Sequence, residues 1–239
     1  MPGKAKPSLT LAILAYNEEP NVDHAIREAI EFLSKAIDDW EIIVVDDGST
    51  DGTGAIADAA AAQEPRIRVV SHGRNRGMGA GIASAIRAAT KAWFVFNAAD
   101  GQVAMSEVGR LLPLLDRADI ALSTYENGRE TAARALLSRA FRVYLRLVAG
   151  IRFELEGLYL YPTTAAKELA PRIDAETFFF SFALVALGLE RGLRAATTSI
   201  RCAPRRAGAS KVLRPRRIAA VAAEAARFGV ARRLHGVVR

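Results

Sequence analysis

The chain has 239 residues, of which 51% are hydrophobic and 25% are charged, so it can bury a substantial core as one large domain or two small ones. Its single cysteine, Cys202, excludes an intrachain disulfide bond and favours a reducing compartment such as the cytoplasm. The net charge of +7 is concentrated at the C-terminus: residues 201–239 hold eleven Lys and Arg against one acid, whereas the rest of the chain has a small excess of acids.

Two apolar runs are long enough to be tested as membrane segments. Residues 9–15 lead into an acidic turn and not into a small-residue cleavage site, so they indicate a core strand and not a signal peptide. Residues 178–189 are too few to span a bilayer, and the charged pair Glu190 and Arg191 follows them. We therefore predict that no segment of the chain crosses a membrane.

Strand-like and helical patterns alternate through the first half of the chain. They predict strands at residues 8–16, 41–47, 66–72 and 92–98, and helices at about 19–36, from a cap at 50–51 to 62, and from the glycine-rich stretch at 73–89. Nearly continuous apolar strands between helices are typical of a parallel sheet that helices cover on both faces. We predict an α/β fold with a mostly parallel central sheet, whose ligands bind beyond the carboxyl ends of the strands.

The pattern changes in the second half. It predicts a strand at 119–124, a basic amphipathic stretch at 134–149, an antiparallel return strand at 153–162, a helix at about 175–191 and a strand at about 195–202. A glycine-containing loop at 203–211 then precedes a helix that begins at Pro215. The apolar stripe of this last helix consists of Ile218, Val221, Ala225, Phe228 and Ala231.

Polar side chains follow three of these strands at the predicted ligand edge. Tyr16 and Asn17 follow the first strand, Asp46 and Asp47 end the second, and Asp100 follows the fourth. Carboxylates placed there can accept hydrogen bonds from a base or a ribose and can hold a hard cation that bridges a diphosphate. The alternative is that the acids only cap the next helix, but a pair directly after four buried apolar residues favours a binding role.

Glycines and histidines in the same region have simpler interpretations. Gly77 and Gly79 follow the spacing Gly-x-Gly-x-Gly, which is not a dinucleotide fingerprint, so they indicate close helix packing or approach of the backbone to a ligand. His24, His72 and His235 are isolated, without the spacing of metal ligands, and we expect surface or structural roles for them.

The basic C-terminal region combines a loop and a helix. Arg205, Arg206 and Lys211 lie in the glycine-containing loop after a strand, where cations can close over an anion. The helix that follows has a basic face that could lie on anionic lipid, although its alanine-rich stripe could equally pack on the domain. Because Phe228 is the only aromatic residue of the region, we predict no nucleic-acid partner.

These motifs together resemble glycosyltransferase family 2, whose members have the A-type, Rossmann-like nucleotide-sugar-binding fold. The resemblance extends from about residue 9 to residue 227 and rests on the segments LAYNEEPNV, IIVVDDGSTDGT, NRGMGAGIASAIRAA and ADGQ. The later segment RRAGASK is similar to the closing loop of the branch that loads sugars onto polyprenyl or dolichyl phosphate.

The resemblance implies a role for each matching residue. Tyr16 and Glu18 would line the base and ribose, Asp46 or Asp47 would hydrogen-bond the base, and Asp100 would hold Mg²⁺ or Mn²⁺. The implied nucleotide-sugar set is Tyr16, Asn17, Glu18, Asp46, Asp47, Gly77, Gly79, Ala98, Ala99, Asp100 and Gln102. The implied acceptor-phosphate set is Arg205, Arg206, Ser210 and Lys211, of which Arg206 and Lys211 join Asp100 as catalytic residues.

The chain departs from the family pattern at its acids. Ala98 replaces the first acid of the Asp-x-Asp motif, and Ser181 and Ala183 replace two acids that relatives carry on a late helix. Metal affinity should therefore be weak, and no general base is evident. The acids that could substitute are Glu154, Glu156, Asp174 and Glu176.

The sequence as a whole predicts an inverting glycosyltransferase that uses a nucleotide diphosphate sugar and an anionic acceptor, in the first place a polyprenyl phosphate. We expect a catalytic domain at 1–212, with a nucleotide-binding half at about 8–102 and an acceptor half at about 103–212, followed by a basic amphipathic helix at 213–239. The expected location is cytoplasmic, with peripheral contact at the inner face of the membrane. Two alternatives stay open: a transferase with a soluble acceptor, and a non-catalytic domain that keeps the fold.

Overall fold

The computed structural model describes residues 7–126, 132–154, 156–204 and 215–234. Its centre is a seven-stranded sheet with the order β3-β2-β1-β4-β6-β5-β7. The strands are β1 Leu9–Ala15, β2 Trp40–Asp46, β3 Ile67–Ser71, β4 Trp93–Ala98, β5 Ile120–Tyr125, β6 Tyr159–Pro162 and β7 Ala195–Ile200. Only β6 runs antiparallel to its neighbours, β4 and β5, and the other pairs are parallel.

Helices cover both faces of the sheet. They are α1 Glu19–Ala36, α2 Thr53–Gln63, α3 Met78–Ala88, α4 Ala132–Ala149, α5 Thr163–Leu169, α6 Phe179–Glu190 and α7 Pro215–Leu234, with short 3-10 helices at Met105–Arg110, Leu112–Asp116 and Ala170–Arg172. The apolar stripe of α1 is buried, as its helical spacing requires. Helix α6 is apolar all round because it lies within the core.

Alternation along each strand divides the interior into two cores. On β2, Ile43 and Val45 belong to the core that α3, α6 and α7 share, whereas Ile42 and Val44 belong to the core that contains α1 on the other face. The Phe94 and Phe96 side chains of β4 belong to the first core, and Val95 between them belongs to the second. The sheet is therefore buried on both faces, and the ends of its strands are where polar side chains gather.

The mostly parallel α/β fold predicted from the sequence is confirmed, including the antiparallel return strand. That strand is shorter than predicted, because the described residues between 153 and 158 form a loop in which Gly157 has a φ of +83°. Helix α6 begins four residues later than the predicted start at 175. Within the described part of the chain, no helix is both long enough and apolar enough to span a bilayer.

Candidate active site

Three strand ends meet at the carboxyl edge of the sheet. Ala15 on β1 pairs with Asp46 on β2, and Leu14 pairs with Ala98 on β4. Two hydrogen bonds extend these pairings beyond the strands: the Asp47 N–H donates to the Ala15 carbonyl at 2.9 Å, and the Ala99 N–H donates to the Leu14 carbonyl at 2.9 Å. The residues that follow β1, β2 and β4 therefore lie side by side.

The turn after β1 is tied to the turn after β2. Asn17 has a φ of +51°, in the left-handed region that asparagine tolerates better than most residues. Its side-chain oxygen accepts from the Thr50 N–H at 2.9 Å, and its own N–H donates to the Ser49 hydroxyl at 2.9 Å. Glu18 is buried, and its N–H donates to the Thr53 hydroxyl at 2.8 Å. Asn17 therefore fixes the shape of the edge.

The sequence predicts that residues 50–51 cap α2, but the helix begins at Thr53 with Gly52 at the N-cap, and Asp51 binds the first helical residue from one position earlier. One carboxylate oxygen of Asp51 accepts from the Thr53 N–H and hydroxyl, and the other accepts from the Glu19 N–H at 3.3 Å. Burial opposes ionisation of this carboxyl, but the hydrogen bonds outweigh it, so the pKa of Asp51 lies below its usual range.

Asp46 and Asp47 make different contacts. Asp46 accepts from the Ser49 N–H at 2.9 Å, within its own turn. Asp47 accepts from the Arg76 N–H at 2.9 Å and from the Gly77 N–H at 2.8 Å, and so holds the segment that leads into α3. Both carboxylates are buried, and each shapes the backbone of a loop that borders the site.

His72 has a structural contact, as its isolated position in the sequence suggests. Its Nδ1 lies 2.7 Å from a carboxylate oxygen of Asp47, and its Nε2 lies 3.0 Å from the Ser84 hydroxyl. Because the Asp47 carboxylate can only accept, Nδ1 carries the proton in this contact. His72, which also contacts Ser84, thus helps to fix the position of the Asp47 carboxylate.

A cleft of about 450 Å³ opens at this edge. Six of the residues that the sequence predicts for the nucleotide sugar line it: Tyr16, Glu18, Asp47, Gly77, Ala98 and Asp100. Of the remaining five, Asn17, Asp46, Gly79 and Ala99 are chain neighbours of lining residues, and Gln102 lies two residues after Asp100. The Gln102 N–H donates to an Asp100 carboxylate oxygen at 3.0 Å, so this turn orients Asp100.

Several lining residues were missed by the sequence analysis. Asn75, Arg76 and Met78 lie beside Gly77, and Thr177 and Phe178 come from the segment before α6. The last helix, α7, contributes Ala220, Val221 and Glu224. A signal for Glu224 was available, because it is the single acid of the basic C-terminal region and it adjoins the apolar stripe.

The positions that lack the family's acids differ in their surroundings. Ala98 lines the cleft two residues before Asp100. Ser181 and Ala183 are buried in α6, and the Ser181 hydroxyl donates to the Phe178 carbonyl at 2.8 Å. Of the four acids considered as substitutes, Glu176 lines the cleft, whereas Glu154 and Asp174 pair with arginines elsewhere. The fourth, Glu156, lies beside Tyr125 on β5.

A divalent metal would have few protein ligands here. Among the described residues, no group of three or more His, Cys, Asp and Glu side chains is arranged to hold a metal ion. Asp47 and Glu224 use their carboxylates for hydrogen bonds to the backbone. The donor set therefore fits an ion held by one carboxylate, that of Asp100, together with ligand phosphates and water.

The predicted acceptor-phosphate residues Arg205, Arg206, Ser210 and Lys211 lie outside the described residues. Their assignment stays a prediction. The segment that follows β7 and leads toward them is tied to the turn after Asp100, because the Ala203 N–H donates to the Gln102 carbonyl at 2.7 Å.

Comparison with protein families places this site in context. The model of the family described as Glycosyl transferase family 2 matches residues 10–179. A dolichyl-phosphate beta-glucosyltransferase of Trichomonas vaginalis is 25% identical over 210 residues, which cover 80% of this chain and 62% of that protein. A polyprenol monophosphomannose synthase of Mycolicibacterium smegmatis is 28% identical over 226 residues, which cover 88% of this chain and 84% of that protein. The chain thus spans less than two thirds of the first of these relatives.

Solved structures show the same fold. Glucosyl-3-phosphoglycerate synthase from Mycobacterium tuberculosis, crystallised with Mn²⁺, UDP-glucose and phosphoglyceric acid, has a TM-score of 0.69 and 20% identity, covering 97% of this chain and 85% of that chain. At this identity the likeness concerns the fold, and it confirms the predicted A-type glycosyltransferase fold.

Proposed function

Since the chain belongs to glycosyltransferase family 2, we propose that it transfers a sugar from a nucleotide diphosphate sugar to an anionic acceptor, with inversion at the anomeric carbon. The observation that carries the proposal is the cleft at the carboxyl edge of the sheet, where Tyr16, Glu18, Asp47 and Asp100 meet. Its volume of about 450 Å³ lies in the range of small-ligand pockets.

In this proposal the cleft holds the donor. Tyr16 and Glu18 line the base and ribose, and the exposed cation of Arg76 lies where it can approach the diphosphate. Asp100 would hold Mg²⁺ or Mn²⁺, which when bound neutralises charge on the diphosphate. Asp47 and Asn17 keep the two bordering loops in shape. The nucleotide-binding half is then about residues 8–102, and the half at about 103–212 serves the acceptor and also contributes Glu176, Thr177 and Phe178 to the cleft wall.

The proposed acceptor is a polyprenyl phosphate. One of its phosphate oxygens attacks the anomeric carbon from the face opposite the diphosphate, and the bond from that carbon to the diphosphate oxygen breaks. The nucleotide diphosphate leaves with the bonding electrons, and the product is a glycosyl phospholipid. Because this phosphate is already ionised at neutral pH, no general base is required, which suits a chain with Ser181 and Ala183 in place of acids. Arg205, Arg206, Ser210 and Lys211 are the proposed acceptor-phosphate ligands.

Exposed apolar side chains support a peripheral contact with a membrane. Val143 and Leu147 of α4 are 56% and 70% exposed, and Val230 and Leu234 of α7 are 51% and 77% exposed. The two helices meet there, because Arg233 donates to the Leu147 carbonyl at 3.1 Å. We call these four residues the α4–α7 surface, and we propose that it rests on anionic lipid at the inner face of the membrane.

A transfer assay tests the proposed function. Purified protein is incubated with radiolabelled nucleotide sugars, Mg²⁺ or Mn²⁺, and either polyprenyl phosphate in vesicles or a soluble sugar-acid phosphate. Labelled lipid is the expected product. Label on the soluble compound alone would replace the lipid acceptor with a soluble one. Donor binding without transfer to any acceptor would contradict the enzyme and favour a non-catalytic domain, and Ala98→Asp would then show whether restoring the acid restores turnover.

A further inference from the structure

Glu224 is an unusual residue for its position. It lies on the inner face of a basic helix and is only 6% exposed. Burial of a carboxylate is costly unless hydrogen bonds compensate for the lost water. The contacts of Glu224 therefore indicate what its helix does at the cleft.

The Glu224 carboxylate holds the segment before α6. One of its oxygens accepts from the Glu176 N–H at 3.0 Å and from the Thr177 N–H at 3.2 Å. The other lies 3.3 Å from the Thr177 N and accepts from the Thr177 hydroxyl. That hydroxyl in turn accepts from the N–H of Phe179, the first residue of α6, at 3.2 Å. One side chain of α7 thus fixes the start of another helix.

The same segment is part of a chain of hydrogen bonds along the wall of the cleft. The Glu176 carbonyl accepts from the Gly79 N–H at 2.8 Å, and Asp47 accepts from the Arg76 and Gly77 N–H groups. Glycine is required for this approach, because a Cβ on Gly77 would lie 2.4 Å from the Glu176 carbonyl oxygen. The chain of contacts runs from Asp47 through residues 76–79 and 176–177 to Glu224, and we call it the cleft belt.

We propose that Glu224 is a positioning residue of the donor site, and that α7 therefore contributes to nucleotide-sugar binding by holding the wall of that site in place. Glu224 holds residues 176–177, and these hold residues 76–79, in the arrangement that binds the nucleotide diphosphate sugar. The inference rests on the proposed function, because it takes the cleft to be the donor site. It assigns to α7 a role distinct from membrane contact.

Substitution of Glu224 changes nucleotide affinity in opposite directions under a positioning role and under a purely electrostatic role. Glu224 lines a cleft that also contains Glu18, Asp47, Asp100 and Glu176, and the proposed ligand is an anion. If Glu224 were only a charged part of the wall, its removal would reduce repulsion and tighten nucleotide binding. A positioning role predicts weaker nucleotide binding, because the cleft belt loosens when the Glu224 carboxylate, its last acceptor, is removed.

The experiment compares dissociation constants of the nucleotide sugar for three variants. Glu224→Ala should weaken binding by about tenfold or more, because it leaves the Glu176 and Thr177 N–H groups and the Thr177 hydroxyl without their acceptor. Glu224→Gln keeps the volume and one acceptor oxygen, so it should fold and weaken binding by about threefold. Asp174→Asn is the control, since the Asp174 ion pair to Arg227 also joins this segment to α7 but is 93% exposed at the aspartate. It should bind like the wild type.

Amide hydrogen exchange without ligand keeps the two proposals separate. Exchange at residues 76–79 and 176–179 should quicken in both Glu224 variants and stay unchanged in Asp174→Asn. Unchanged exchange, or tighter nucleotide binding in Glu224→Gln, would overturn the positioning role while leaving the proposed function intact. A wild-type protein that binds no nucleotide sugar would overturn the proposed function, and the positioning role with it.

Discussion

Asp100 and Ala98, two residues apart after β4, define how this chain can use a metal ion. Both line the cleft, but only Asp100 offers a carboxylate. Asp47, the acid that follows β2, also lines the cleft, but its carboxylate accepts from the N–H groups of Arg76 and Gly77. A metal ion would therefore be bound chiefly by the nucleotide diphosphate and only anchored by the protein.

Replacement of Asp100 by Asn tests this arrangement. We expect the metal-dependent part of nucleotide binding to disappear and the transfer rate to fall by about a hundredfold or more, with little change in melting temperature. Isothermal titration with and without chelator measures the first effect. Asp58→Asn, at an exposed position on α2, should change neither quantity, and an Asp100→Asn protein with unaltered metal dependence would contradict the assignment.

The sequence identified cleft residues that directly follow strands, but it did not identify those that distant segments bring to the cleft. Tyr16, Glu18, Asp47 and Asp100 were predictable because strand ends of a parallel sheet gather at one edge. Glu224 stands out in the sequence as the single acid of the basic C-terminal region, but its place at the cleft depends on the packing of α7 on α4 and α6, which no local pattern encodes.

Among the elements, the amino ends of β1, β2 and β3 are tied together by one buried acid. Glu41 accepts from the Thr10 hydroxyl at 2.7 Å, from the Thr90 N–H at 2.6 Å and from Arg68 at 2.7 Å. Burial opposes ionisation of Glu41, but these hydrogen bonds outweigh it and keep its pKa below the ordinary value of 4.5. Because the lowered pKa belongs to the folded state, the stabilisation is complete above the unfolded-state pKa and is lost as pH falls through the folded-state pKa.

Glu41→Gln should therefore destabilise the protein in a pH-dependent way. We expect a loss of about 1–3 kcal/mol in the free energy of unfolding at neutral pH, toward the lower end because the Arg68 side chain is 46% exposed. The difference from the wild type should shrink as pH falls below 4.5. Urea unfolding at several pH values measures it. Glu31→Gln, on the exposed face of α1, should have little effect, and a pH-independent loss for Glu41→Gln would contradict the explanation.

Helix α7 is docked by close backbone contact as well as by side chains. A Cβ on Gly229 would lie 1.9 Å from the Val148 carbonyl oxygen on α4. The Tyr144 hydroxyl donates to the Ala222 carbonyl at 2.7 Å across the same interface. The position of Glu224 at the cleft depends on this packing.

Gly229→Ala should shift α7 away from α4. We expect a loss of stability of about 1–3 kcal/mol, with weaker nucleotide binding as Glu224 moves. Melting curves and nucleotide titration measure the two effects. Gly73→Ala is a suitable control, because no atom lies within 4 Å of the added Cβ. A Gly229→Ala protein as stable as the wild type would show that α7 does not dock in this way.

The elements themselves were predictable where periodicity is strong. The first four strands and α1 follow the sequence pattern to within a few residues, because apolar runs and a helical stripe define them locally. Helix α5 and the 3-10 helices at Met105–Arg110 and Leu112–Asp116 were not predicted, since short segments owe their shape to contacts with the sheet.

For the whole molecule, charge and apolar exposure coincide near the C-terminus. The α4–α7 surface carries the four most exposed large apolar side chains among the described residues, and in the sequence the excess positive charge belongs to residues 201–239, which include α7. Attraction to anionic lipid would be strong at low salt and would weaken with screening.

Leu147→Asp combined with Leu234→Asp should abolish this contact without unfolding the protein, because both side chains are largely exposed. We expect the wild type to sediment with vesicles that contain anionic lipid and the double variant to remain in the supernatant. Neutral vesicles provide the lipid control, and Met78→Asp, at an exposed apolar residue that lines the cleft and is not part of the α4–α7 surface, provides the protein control. If the wild type and the double variant sedimented equally with anionic vesicles, the α4–α7 surface would not be the lipid contact.

The central claim is that the cleft binds a nucleotide diphosphate sugar with a metal anchored by Asp100. The most direct measurement is the melting temperature of the wild type and of Asp100→Asn with UDP, GDP, dTDP and their common sugars, each with Mn²⁺, Mg²⁺ or chelator. We expect one nucleotide sugar to stabilise the wild type in a metal-dependent way and Asp100→Asn to lose the metal-dependent part of that stabilisation. If no nucleotide or nucleotide sugar shifted the wild-type melting temperature, the claim would be contradicted.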